Sequence, residues 1–288
     1  ESLDTLQAFH EKLYQDLTGK EASAELIEAF NHLRRVCGGV FLLKELTRKS
    51  LDFILGSGEI SSSIIVLAFL ESQQLKVKRF DTRQYIVTNG QFGDASVDFA
   101  TTTNQLNRVS SEFSAINVFP GFVAATATGE MTTLGRGGSD YTAAIIASAL
   151  DAGMLEIWTD VDGIMTADPR RVKRSHTLDQ VSYAEALELS YFGAKVIYPK
   201  SIVPVLDAGI EVRVKNTFDP DNPGTLITQD PNKDHLIKGI SSIDEVTILS
   251  ISGRKLKENR EFFSRIFRLL ATYEVPIIFM THSNSGLT

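Results

Sequence analysis

From Lys76 onward, short β-rich runs alternate with helical stretches, and this alternation most limits the architectures open to the chain. Val77 to Phe80, Ile86 to Thr88, Ile116 to Phe119, Gly121 to Ala125 and Leu155 to Thr159 read as strands. Strands regularly interleaved with helices imply an α/β fold, a mainly parallel sheet sandwiched by helices. Residues 1 to 74 precede this pattern and read as helices. Leu3, Leu6, Phe9, Leu13 and Leu17 recur at helical spacing up to Gly19, a second set runs through Leu26, Ile27, Phe30 and Leu33, and a third spans Ser61 to Leu70.

After Thr159 come two turn-rich stretches, Asp160 to Gly163 and Ala167 to Arg170. Ser182 and Glu185 have capping-box spacing ahead of a helix from Ala184 to Phe192, with Gly193 to stop it. A helix from Pro199 to Leu206 then leads into the strand Glu211 to Lys215. The polar, proline-bearing stretch from Phe218 to His235 reads as a domain edge. Beyond it, a strand at Val246 to Ser252, an amphipathic helix at Arg260 to Tyr273 and a strand at Pro276 to Thr281 make one βαβ unit. Its apolar face is too large for it to cover alone, so partner strands are expected from further sequence or another chain. The division predicted is a large domain over residues 1–234 and a small one over 235–288.

With 288 residues, 43% of them hydrophobic, the chain can bury a substantial core. Its net charge of -7 weighs against nucleic acid or an anionic membrane as partner, since both call for a basic patch. The longest uninterrupted apolar run, Ser63 to Leu70, is far short of a membrane span and ends in Glu71. A single cysteine, Cys37, excludes an intrachain disulfide and suits a reducing cytoplasmic setting. The five histidines show no metal-ligand spacing, so no protein metal site is expected.

One run carries chemistry by itself. Thr132-Thr-Leu-Gly-Arg-Gly-Gly-Ser-Asp140 feeds directly into an apolar helix read from Tyr141 to Leu150. A glycine-lined turn at a helix start offers unpaired N–H groups and the positive end of the helix dipole, both suited to an anion. Arg136 adds a planar fork for a carboxylate or phosphate. Asp140 is wrongly charged for a bare phosphate and well placed for a ligand that also carries an ammonium, which points to an amino acid beside a nucleotide.

Three further stretches admit two readings each. Asp160, Asp162 and Arg170 crowd the carboxyl end of a strand, where open α/β sheets bind ligands, and could hold a metal-nucleotide; equally, Asp and Gly build turns. Lys195, in Phe192-Gly-Ala-Lys-Val196, could reach transferring phosphoryl oxygens or simply complement a helix C-terminus. Glu59, read as opening a helix from Ile60 to Leu70, could face a ligand or serve only the helix dipole.

The nine residues from Thr132 to Asp140 resemble the TTLGRGGSD signature of the aspartate kinases, in the wider amino-acid kinase family. Phe192 to Val196 matches that family's FGAKV motif, and the run from Thr159 to Arg170 is similar to its TDVDGI.T.DPR segment. Leu55-Gly-Ser-Gly-Glu-Ile-Ser-Ser62 is similar to its S.GE..S element. The resemblance implies transfer of the ATP γ-phosphate, with Mg2+, to the side-chain carboxylate of L-aspartate, giving 4-phospho-L-aspartate for lysine, threonine and methionine biosynthesis. It implies that Glu59, Arg136, Ser139 and Asp140 bind the substrate, and that Lys195 and Asp140 are catalytic. It implies nucleotide contact by Thr159, Asp160, Met165, Arg170, Lys195 and Val196. Met165 stands where the family commonly has tyrosine, and Tyr198-Pro199 where it has His-Pro.

Aspartate kinases open with a K.GGTS strand and glycine loop that these residues do not contain, so the resemblance implies the later, N-terminally truncated part of that domain. The final segment is similar to the first half of an ACT regulatory domain. That likeness implies a homodimer paired through ACT-like domains and a lysine or threonine feedback effector. Two alternatives stand beside this reading: another amino-acid kinase acting on glutamate or acetylglutamate, and a non-catalytic amino-acid-binding regulatory subunit.

Overall fold

The computed structural model describes residues 2–191, 196–231, 237–252, 260–273, 275, 277–281 and 286–287. They divide into two units, residues 1–242 and 243–288. In the larger unit, three helices come first: α1 (Ser2–Thr18), α2 (Ala24–Leu43) and α3 (Arg48–Ser72). Ser23 and Thr47 cap α2 and α3 by accepting from the N–H groups of Leu26 and Ser50. Leu26, Phe30 and Leu33 of α2 meet Ile60, Ile64 and Ile65 of α3 in one buried cluster, which Tyr14 closes from α1.

The third helix corrects the sequence reading: it begins eleven residues before Glu59, so Glu59 sits in mid-helix and not at an N-terminus. Glycine stands inside this helix at Gly56 because a Cβ there would collide with the side chains of Met131 and Val123, where α3 lies against two strands. The loss of helix propensity, about 1 kcal/mol, permits that close approach. By length and mean hydropathy α3 could span a membrane. The same composition serves a core helix, and Ile60, Ile64 and Ile65 are buried within the unit.

The α/β part starts with β1 (Val77–Arg79), β2 (Val87–Thr88) and α4 (Phe99–Val109), followed by β3 (Ile116–Val118), β4 (Val123–Thr126) and β5 (Met131–Thr133). Strands β1 and β3 pair in parallel; β4 lies between a parallel β2 and an antiparallel β5, with Val123 opposite Thr133. Next come α5 (Gly138–Ala149), β6 (Leu155–Thr159), β7 (Gln180–Ser182), α6 (Tyr183–Leu189), α7 (Pro199–Ala208), β8 (Val212–Asn216) and β9 (Thr225–Thr228). The last four strands form one sheet in the order β6-β8-β9-β7, parallel at both outer pairs and antiparallel at β8-β9. Ile157, Val181, Val212, Val214 and Ile227 from these strands pack with Ile202 and Val205 of α7. Each such fully buried aliphatic side chain contributes roughly 1.5–3 kcal/mol.

Two boundaries move for clear reasons. The stretch read as a domain edge contains β9, an inner strand whose Ile227 is fully buried; Pro220 and Pro223 belong only to the turn that precedes it. At α6 both capping-box bonds form, Ser182 Oγ accepting from the Glu185 N–H and Glu185 Oε2 from the Ser182 N–H. Helix α6 ends at Leu189, and Phe192 to Lys195 lie outside the described residues.

The smaller unit contains β10 (Ile251–Ser252), α8 (Arg260–Thr272) and β11 (Gly286–Leu287), with β10 and β11 antiparallel. The strand expected at 276–281 does not form among the described residues there, and only the last two residues of Val246 to Ser252 are strand. So short a ladder cannot cover the unit's apolar side chains, and Ile248, Leu249 and Phe279 remain exposed.

Candidate active site

Helix α5 begins three residues earlier than the apolar pattern suggests, at Gly138, with Gly137 as its N-cap in the left-handed region at φ 70°. That conformation is inexpensive only for glycine. A Cβ there would also stand 2.5 Å from Cβ of Tyr198, which closes the turn on that side. The N–H of Gly138 is used within the turn, bonding to the Gly135 carbonyl at 3.1 Å. The N–H groups of Ser139 and Asp140 have no acceptor among the described residues and remain at the positive end of α5.

These residues line a cavity of about 350 Å³ with Glu59, Phe122 and Gly135 to Asp140 on its wall. The four residues assigned to the substrate, Glu59, Arg136, Ser139 and Asp140, therefore share one site although Glu59 is about 80 positions from the others in sequence. Arg136 is exposed; Glu59 and Asp140 are half-buried. Burial pushes both carboxyl groups above their ordinary range. Neither has a hydrogen-bond or ion-pair partner among the described residues. Two carboxylates desolvated in this way favour a cation that the protein itself does not supply. With a guanidinium and free amide groups opposite, the set can take both ends of a zwitterion.

Two residues of this site gave little sign of themselves in the sequence. Phe122 lines the cavity with φ 69°, a conformation rare for an aromatic residue; its N–H donates to Thr142 Oγ1, and its carbonyl accepts from Leu134. Asp94 abuts Gly135 and forms an ion pair with Lys200 of α7 at 2.6 Å. An adjoining cavity of about 460 Å³ shares Ser139 and follows α5 along Thr142, Ala143 and Ile146 to Phe119.

Of the residues assigned to nucleotide, those described lie off the wall of the Glu59 cavity. Thr159 ends β6 beside Asn216 of β8, and its hydroxyl donates to Asp160. Asp162 accepts from Asn216 Nδ2 at 2.6 Å, which ties the turn to the sheet. Met165 bridges Thr177. Arg170 is forked onto Asp168, Nε to Oδ1 at 3.0 Å and Nη2 to Oδ2 at 2.8 Å, and holds Asp168 below the usual carboxylate range. Val196 is half-buried two residues before Tyr198, which reaches the substrate turn at Gly137. Lys195 lies outside the described residues. Among those described, no three His, Cys, Asp or Glu side chains cluster as a metal site.

A cavity with carboxylate and guanidinium groups on its wall, at a glycine-started helix, suits a small ligand that carries both charges. The chain belongs to the amino acid kinase family, whose model matches residues 10–216. Within that family it is similar to aspartokinases. It is 36% identical to the bifunctional aspartokinase/homoserine dehydrogenase of Buchnera aphidicola over 92% of this chain and 33% of that protein. It is 33% identical to the lysine-sensitive aspartokinase 3 of Escherichia coli over 81% of this chain and 52% of that protein. The crystal structure of E. coli aspartokinase III in complex with aspartate and ADP superposes with a TM-score of 0.75 at 29% identity, over 91% of this chain and 59% of that one. The chain thus spans about a third to a half of the length of these curated relatives.

Proposed function

We propose that the protein of which these residues are part is an ATP-dependent aspartate kinase. The observation that carries this reading is the convergence of Glu59 and Asp140, half-buried and unpaired among the described residues, with Arg136 around one cavity. Arg136 and the free N–H groups of α5 would take the α-carboxylate of aspartate, and Glu59 and Asp140 its ammonium, with Ser139 beside them. The side-chain carboxylate would then be left to meet the γ-phosphoryl group. The likeness to an aspartokinase crystallised with aspartate and ADP supports both ligands.

Transfer forms a bond between a side-chain carboxylate oxygen and the γ-phosphorus and breaks the β–γ bridge, giving 4-phospho-L-aspartate and ADP. A carboxylate is already a nucleophile at neutral pH, so no general base is called for; orientation and charge neutralisation supply the rate. Thr159, Asp160, Met165, Arg170 and Val196 are assigned to the nucleotide, and Lys195 to its phosphates as the neutralising cation. Without a three-ligand cluster among the described residues, Mg2+ fits best as an ion carried by the phosphates, with Asp160 as a protein contact. An acetylglutamate kinase fits less well, because an acylated substrate nitrogen offers no charge to Glu59 and Asp140.

We further assign the larger unit, which runs to residue 242 and so eight residues beyond the boundary read from the sequence, to the kinase domain, and 243–288 to the start of an ACT-like regulatory domain that pairs with a second copy. The lysine sensitivity in the name of the E. coli relative favours lysine over threonine as effector. The deciding experiment is ATP-dependent acyl-phosphate formation by the full-length protein, trapped as hydroxamate, with aspartate, glutamate and N-acetylglutamate in parallel. Aspartate alone should react; preference for either other acceptor would overturn the assignment.

A further inference from the structure

Asp52 is the most deeply buried charged side chain of the described residues, 1% exposed, and lies in an otherwise apolar stretch of α3. Aspartate is a poor helix former, and a buried carboxylate is costly unless its oxygens are satisfied. Here they are satisfied from outside the helix. Oδ2 accepts from the N–H groups of Gly93 at 3.0 Å and Thr133 at 2.9 Å, and Oδ1 from the Thr133 hydroxyl at 3.0 Å. Thr133 is the second residue of the run that ends at Asp140. Its carbonyl in turn accepts from Ala95, so the short loop holding Asp94 is laid along β5 and brought against Gly135.

Asp52 and Glu59 are seven residues apart, two helical turns and roughly 10 Å along one face of α3. One end of that face is fastened to the root of the substrate turn, and the other presents Glu59 to the cavity the turn encloses. We propose that Asp52 is a positioning residue for substrate binding: by locking α3 to Thr133 and Gly93 it fixes the separation between Glu59 and the Arg136–Asp140 turn. The inference rests on the aspartate-kinase reading for the identity of the ligand, but not for the coupling of helix to turn.

The test compares Asp52→Ala, Asp52→Asn and Thr133→Val in the full-length protein. An asparagine can keep all three bonds, its oxygen taking the two N–H groups and its amide donating to the Thr133 hydroxyl. Alanine leaves all three donors unmet, the two of Thr133 buried. Asp52→Ala is expected to raise the KM for aspartate by on the order of 10- to 100-fold with the KM for ATP changed less than about twofold, and Asp52→Asn to restore it nearly to wild type. Thr133→Val, which removes one bond and keeps the strand, should move the aspartate KM the same way by less, and serves if the alanine variant does not fold.

Hydrogen exchange supplies a readout independent of turnover: amides 133–141 should exchange faster in Asp52→Ala while α1 and α2 keep their protection. Equal changes in both KM values, or a fall in kcat alone, would mark Asp52 as merely structural and overturn the proposal. So would unchanged exchange at 133–141. A wild-type protein inert toward aspartate would instead remove the functional reading, and exchange would still decide the coupling.

Discussion

Replacing Glu59 by glutamine separates what the side chain does for the fold from what it does for the ligand. The two residues are isosteric and have nearly equal helix propensity, and position 59 is in mid-helix where the dipole has little effect. The ionised carboxyl is disfavoured by burial and makes no compensating bond among the described residues, so removing its charge relieves a penalty and breaks no contact. The ligand-free protein should therefore keep its Tm or gain up to about 1 kcal/mol of stability, equivalent to roughly 2–4 °C. Binding should respond in the opposite sense. A hydrogen bond between charged partners contributes about 1.5–3 kcal/mol, so its loss should raise the aspartate KM roughly 10- to 150-fold and leave the ATP KM within about twofold. Thermal unfolding without ligand and steady-state kinetics with each substrate varied decide the matter. A Tm lowered by several degrees would mean that Glu59 has a structural partner, and an unchanged aspartate KM would mean that it does not meet the ammonium; either refutes the reasoning.

Further outcomes follow from the same geometry. Arg136→Ala should raise the aspartate KM by about tenfold or more with little effect on that for ATP; equal effects on both would remove Arg136 from the carboxylate. Gly137→Ala should cost about 1–2 kcal/mol for its left-handed backbone and more for the contact with Tyr198, and should lower kcat/KM for aspartate, whereas a Tm and kcat/KM equal to wild type would show the turn to be adaptable. Because burial raises the pKa of Glu59 and Asp140 from ordinary values of 4.5 and 3.8, protons are held by the folded state that the unfolded state has lost. Their contribution to stability is therefore fully present below the unfolded values and declines as pH rises through the folded ones. Aspartate affinity should increase across that same window, as the carboxylates ionise. The wild-type minus Glu59→Gln difference in Tm, measured against pH, should fall over that interval, and a difference independent of pH would contradict the raised pKa.

Much of the kinase unit was legible because its signals are local. Ser182 and Glu185 cap α6 through bonds that span three residues, and the apolar spacing of Leu26, Phe30 and Leu33 marks the buried face of α2. Where the reading failed, a distant contact had overridden the local signal. Glu59 looked like the opening of a helix, yet α3 runs through it from Arg48, and Gly56 is small because Met131 and Val123 press against it from strands about seventy residues away. The prolines around 220 looked like a linker, yet Thr225 to Thr228 finds an inner place between β8 and β7. The strand expected at 276–281 had the right composition and does not form in the structure described.

By itself the sequence determined the chemistry on offer: a guanidinium, a glycine-started helix and acidic groups carried in runs whose order along the chain is enough to suggest a charged ligand. Only the tertiary structure decided that Glu59 and Arg136 line one cavity, that both acidic groups lack a paired counter-charge among the described residues, and that Asp52 joins helix to turn. Residue types and local propensities are properties of short stretches. Burial, and with it the cost of an unpaired charge, depends on what the rest of the chain brings alongside.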